Sequence, residues 1–137
     1  MNMIKMEQVS KSYQQHQVLN KITLSLPQGH IMGLLGQNGA GKTTLLKLCL
    51  GLLKADRGEI RVMEAPGWDM PPKVKEQVGY VAQKSDTLHW MNVSQLLDYT
   101  GAFYQNWDAA KVTALMQRWQ LDPKSRVSDL SEGQKQR

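Results

Sequence analysis

Apolar and polar residues alternate over Ile4–Val9, in IKMEQV, and again over Val18–Leu26, in VLNKITLSL. A period of two gives each segment one apolar and one polar face, so both read as half-buried strands. Pro27-Gln28-Gly29 follows as a turn. HIMGLLG, His30 to Gly36, is short and almost wholly apolar, which predicts a buried strand. The next run, KTTLLKLCLGLL, is apolar nearly all round and suits a helix enclosed by other elements. ADRGEIRVME then gives a turn and a strand near Glu59–Met63, Pro71-Pro72 opens a short helix, and VGYVAQ, Val78 to Gln83, returns to a strand.

From Asn92 the period becomes helical. Asn92 caps one helix, with Gln95 at the reciprocal position of a capping box. Asp108 caps a second, in which Val112, Leu115, Met116 and Trp119 fall on one face. That stripe is most simply core. Ser131 is a third cap, again with a reciprocal residue, Gln134. Strands with helices thus precede a mostly helical part, without internal repeat or low-complexity tract.

Length and charge change this picture little. With 137 residues the chain is one ordinary domain or most of one, and 41% apolar content is enough for a core. The net charge of +5 comes from 17 basic and 12 acidic residues scattered along the chain. A scatter without runs reads as a solvated surface, and no nucleic acid partner is expected. Cys49 alone, in an apolar run, offers no disulfide framework and reads as a small core residue in a reducing compartment. No stretch approaches the roughly 18 apolar residues of a membrane span. His16, His30 and His89 read as polar surface or turn residues.

Candidate chemistry concentrates in GLLGQNGAGKTTLL, Gly33 to Leu46. Gly36-x-x-x-x-Gly41-Lys42-Thr43 meets the phosphate-loop pattern. Glycines let successive backbone N–H groups curl around an anion. The following helix aims its positive end at the same point. Lys42 brings a mobile charge to the β- and γ-phosphates, and Thr43 a hydroxyl to Mg²⁺. The alternative, a glycine-rich structural turn, leaves the flanking strand and helix unexplained. The expected ligand is a nucleoside triphosphate with Mg²⁺.

GQNGAGKTTL, then YVAQ, then LSEGQ resembles the nucleotide-binding subunit of ABC transporters across essentially the whole chain. LSEGQ matches the usual LSGGQ signature at four of five positions. The resemblance implies an α/β fold: a P-loop NTPase, ABC-type nucleotide-binding domain, truncated, with an antiparallel β part, a partial RecA-like parallel sheet and a helical subdomain. Residues 1–137 would form a single incomplete domain, 1–83 holding the β-subdomain and phosphate-loop core, 84–137 the helical subdomain with the signature. Tyr13 would stack on adenine. Asn38, Gly39, Gly41, Lys42, Thr43 and Thr44 would hold phosphates and Mg²⁺. Gln83 would touch Mg²⁺ and the attacking water. Ser131 and Gly133 would meet the γ-phosphate held by a second nucleotide-binding domain, alike or different, in a head-to-tail dimer. Glu132 stands where glycine is commoner, and reads as tuning.

The resemblance further implies ATP as cofactor, ATPase activity in the complete domain, a transmembrane permease partner, and a cytoplasmic place on the inner face of the membrane. FYQNWDAAKVTALMQRWQL also resembles a subgroup serving ABC-2-type exporters. The family's apolar strand ending in Asp, its catalytic Glu and its switch His have no counterpart before the signature. None follows within this sequence. Hydrolysis by these residues alone is therefore expected to be very slow or absent, and the chain is expected to be a fragment with unpaired strands. Two other readings are a nucleotide-binding module that never hydrolyses and a DNA-repair P-loop ATPase. The latter usually separates the two motifs by a long coiled coil, which is missing here.

Overall fold

The computed structural model describes residues 1–82 and 88–135. Two compact units divide the chain, Met1–Val78 and Gly79–Arg137. In the first, β1 (Asn2–Tyr13) and β2 (His16–Pro27) form a long hairpin. β3 (Arg57–Val62) pairs antiparallel with the other edge of β1, and the short β4 (Ala65–Pro66) with β3, giving a sheet of order β2-β1-β3-β4. The strands run beyond the alternating cores of the sequence because turn residues, not loss of alternation, end them. Gln14 (φ 55°) turns the first hairpin, and Met63 (φ 49°) with Glu64 (φ 65°) the β3–β4 one.

The sheet kinks along one row. Gln8 on β1 and Lys21 on β2 have φ of 50° and 49°, and the pairing registers slip between Met6 and Val9 and between Glu7 and Ser10. Each bulge re-aims its neighbours and disturbs the ladder. Side chains replace part of what is lost: Gln8 N donates to Thr23 Oγ1 (3.1 Å) and Lys21 N to the buried Ser10 Oγ (2.9 Å).

α1 (Lys42–Cys49) lies against the sheet. Leu45 and Leu48 join Met6, Val9, Leu19, Ile60, Val62 and Met70 in the core. α1 is shorter than its apolar run and is buried on one side only; Leu46 is exposed. α2 (Pro72–Lys75) is the short helix announced by Pro71-Pro72, with proline in its first turn.

The two other segments expected as strands differ from expectation. Residues 30–37 belong to no strand, and Ile31 and Leu35 are 101% and 94% exposed. Residues 78–82 likewise belong to no strand, with Tyr80 and Val81 exposed. Among the described residues no strand pair is parallel, so the partial parallel sheet is not formed here. An apolar run becomes a buried strand only when neighbours supply both hydrogen-bonding edges and a cover for both faces.

In the second unit, α3 (Val93–Gly101) and α4 (Ala109–Arg118) are followed by a 3₁₀ turn at Val127–Asp129 and by α5 (Glu132–Lys135). The start of α3 is tied to the chain that precedes the turn: Val93 N donates to Ser125 O and Val127 N to Met91 O, both at 3.0 Å. Val93 and Val127 are buried. Val112, Leu115, Met116 and Trp119 do share a face, and together they line an apolar cavity of about 350 Å³ rather than a filled core.

Candidate nucleotide site

The phosphate-loop residues surround the start of α1. Gly41 is its N-cap, and no side chain caps this end. The first N–H groups of a helix lack intrahelical acceptors, so α1 presents donors and the positive end of its dipole there. Lys42 folds back across the loop: its Nζ donates to the Gly36 carbonyl at 2.6 Å and to the Gln37 carbonyl at 2.7 Å. Thr43 is exposed and Thr44 half-buried. Asn38 and Gly39 form the turn of the loop, with Ala40 N donating to Gln37 O at 3.2 Å.

The loop is seated on the β1–β2 hairpin. A Cβ at Gly41 would lie 2.9 Å from Leu19 Cδ2 and 3.1 Å from the Val18 carbonyl. Glycine is needed there for packing space. The contact also places the loop beside the closed end of the hairpin, where Tyr13 pairs with His16. Tyr13 is 46% exposed, which leaves ring surface for a ligand. Val18 and Leu19 were read from the sequence only as strand residues. Their role in backing the loop is a contact between distant segments, for which a strand pattern holds no signal.

The end of β1 has a second support. β3 begins opposite Ser10, so the last three residues of β1 have no strand on that side. Asp56 fills the gap. Its N donates to Ser10 O (3.0 Å), its Oδ2 accepts from Ser12 N (2.7 Å), and its Oδ1 accepts from Lys11 Nζ (2.6 Å). The Lys11 ammonium, and then the Ser12 N–H, hold the Asp56 carboxyl below its usual range. Lys11 Nζ also sits over the Tyr13 ring, 5.9 Å from its centre. Cys49, packed against the core, has its thiol pushed up by burial to about 11, so it is inert at neutral pH.

In the second unit Ser131 Oγ accepts from Gln134 N (3.3 Å), and Gln134 Oε1 accepts from Ser131 N (2.9 Å). The expected reciprocal cap is therefore formed. Glu132 pairs with Lys135 one turn on, at 3.2 Å, and Gly133 has open space around it. Gln83 lies outside the described residues. Among those residues, no cluster of three or more His, Cys, Asp or Glu could hold a metal ion. Of the two residues expected to face Mg²⁺, Thr43 lies among the described residues and Gln83 does not.

A family model described as "ABC transporter" matches residues 19–137. The chain belongs to the ABC transporter ATP-binding family. It is 33% identical over 133 residues to the ABC transporter ATP-binding protein YtrB of Bacillus subtilis, covering 97% of this chain and 45% of that one. It is 34% identical over 138 residues to a zinc import ATP-binding protein, ZnuC, of Vibrio vulnificus, covering 98% and 48%. The ABC chain thus spans about half the length of these relatives. A solved structure of an ATP-binding subunit of an ABC transporter superposes with a TM-score of 0.86 at 24% identity, covering 98% of this chain and 58% of that one. The fold is that of the ABC-type P-loop NTPases. Among the described residues, no helix is long and apolar enough to cross a membrane.

Proposed function

We propose that this ABC chain binds Mg-ATP and forms part of an ATP-binding subunit that drives a transmembrane permease from the cytoplasmic face. The observation that carries this is Lys42. Its ammonium is held across the mouth of a helix N-terminus that no side chain caps, with an exposed Thr43 hydroxyl beside it. A cation, a row of helix N–H donors and a hydroxyl are the donor set a triphosphate with Mg²⁺ requires.

In this reading Asn38, Gly39, Gly41 and Thr44 offer their backbone and side-chain donors to the phosphates. Lys42 neutralises the β- and γ-phosphates, and Thr43 and Gln83 face Mg²⁺. Tyr13 takes the adenine. Bound Mg²⁺ would draw charge from the terminal phosphates. Ser131 and Gly133 would face the nucleotide of a second such domain, in the family's head-to-tail dimer. The sequence holds no apolar run ending in an Asp-Glu pair. In this reading the base for the attacking water is not among these residues, and hydrolysis by them alone is very slow or absent. Service to an exporter of the ABC-2 kind rests on the likeness of residues 103–121.

Thermal melting with and without Mg-ATP tests the binding. A ligand at a hundredfold excess over its Kd adds about 2.7 kcal/mol to stability. Lys42→Ala should erase that gain, read as the difference between the variant's own melting with and without Mg-ATP. A wild-type chain that gains nothing refutes the reading.

A further inference from the structure

We propose that Lys11 and Asp56 act together as positioning residues for the base-stacking ring of Tyr13, and so set how much of the affinity for ATP comes from its adenine. The inference rests on the nucleotide reading above. It starts from a gap in the sheet. Lys11, Ser12 and Tyr13 pair with Leu19, Gln17 and His16 of β2, but β3 stops at Arg57, opposite Ser10. A strand end held on one edge only frays, because its outer N–H and C=O groups exchange freely with water. Asp56 supplies the missing edge with one backbone and two side-chain bonds, to Ser10, Ser12 and Lys11 in succession.

Lys11 then transmits that hold to the ring. Its side chain is only 14% exposed, although it is charged, because Asp56 fixes its ammonium at 2.6 Å. From there it covers one face of Tyr13. A cation within about 6 Å of a ring centre is attracted to its face. The ring is thereby oriented, and its opposite face is the one left for a base. A ring free to rotate would lose rotamer entropy each time a base bound. A ring already held loses less, so the difference appears as affinity. The phosphates, gripped by the loop, feel none of this.

Two ligands separate the effects: ATP, and inorganic tripolyphosphate, which lacks the base. Binding of each to the full chain is measured by calorimetry. Tyr13→Ala should weaken ATP on the order of tenfold and leave tripolyphosphate unchanged. Lys11→Met keeps the stem and removes the charge; it should weaken ATP roughly threefold, again with tripolyphosphate unchanged. Added to Tyr13→Ala it should have no further effect. Lys11→Arg, which keeps both the ion pair and the cation over the ring, should restore wild-type ATP affinity. Equal loss of both ligands in Lys11→Met would mean a general loss of structure and would overturn the positioning role. So would an ATP affinity that Lys11→Met leaves unchanged while Tyr13→Ala lowers it. If Tyr13→Ala leaves ATP unchanged, the ring is no platform, and the inference fails while the phosphate site stands. If the wild-type chain binds neither ligand, the nucleotide reading itself falls and takes the inference with it.

Discussion

Gly58 shows how one residue fixes the local geometry of the sheet. It sits on β3 beside the bulge at Gln8, with a φ of 84°, and a Cβ there would collide with the carbonyls of Glu7 and Gln8. Two separate costs follow from adding a methyl group. The left-handed backbone costs an L-residue about 1–2 kcal/mol. The collision is with backbone, which can yield only by breaking the β1–β3 pairing. Gly29 provides the control, because its φ is 78° but nothing lies within 4 Å of its would-be Cβ. Gly29→Ala should therefore cost about 1 kcal/mol, the dihedral term alone. Gly58→Ala should cost several kcal/mol, on the order of a core truncation. Urea titrations of the two variants check the difference, and equal losses would show that the bulge can shift to make room. The sequence signalled this position only as part of a turn. The crowding comes from a strand about fifty residues earlier, which no local pattern encodes.

At the scale of elements, what was legible was what neighbours in sequence decide. The capping box at Asn92 is present in both directions: Gln95 N donates to Asn92 Oδ1 at 2.8 Å, and Asn92 N to Gln95 Oε1 at 3.0 Å. Asp108 likewise accepts from Lys111 N at 2.9 Å. Such bonds span three residues, so the sequence contains the whole of their geometry. The end of α1 was also local, but the apolar run obscured it. Gly51, at φ 67°, stops the helix in a paired closure, with its N donating to Leu48 O (3.2 Å) and Leu52 N to Lys47 O (2.9 Å). A glycine two places beyond the last helical residue, followed by a leucine, is the usual form of that stop. The caps yield a direct prediction. Asn92→Ala should destabilise the helical unit by about 1 kcal/mol, and Asn92→Gly by only a few tenths, because glycine keeps the extended N-cap backbone open to water. Chemical denaturation followed by helical circular dichroism reads both. An equal loss in the two variants would assign the effect to the side-chain bond that both remove rather than to the N-cap backbone.

For the whole molecule, the decisive distinction is between apolar residues that have found partners and those that have not. Met6, Val9 and Leu48 are sealed in the first unit, and Ile60 is 9% exposed beside them. Ile31 has the same side chain as Ile60 and sits in a more apolar stretch, yet it is fully exposed. Pattern alone favours burial of Ile31, since a run such as HIMGLLG states what a segment can bury and is silent on what covers it. Their substitution should separate them. Ile60→Ser removes most of a buried aliphatic side chain, leaves a cavity and places a hydroxyl among apolar atoms, so a loss of roughly 3–5 kcal/mol is expected. Ile31→Ser changes a surface already in water, and the melting temperature of the chain should stay the same. Its effect should appear in self-association instead. Ile31, Met32, Leu34 and Leu35 are all exposed within one short segment, and apolar surface concentrated in this way drives association between copies. Sedimentation at increasing concentration should show less oligomer for Ile31→Ser than for wild type. A drop in melting temperature comparable to that of Ile60→Ser would mean that the segment is covered in solution.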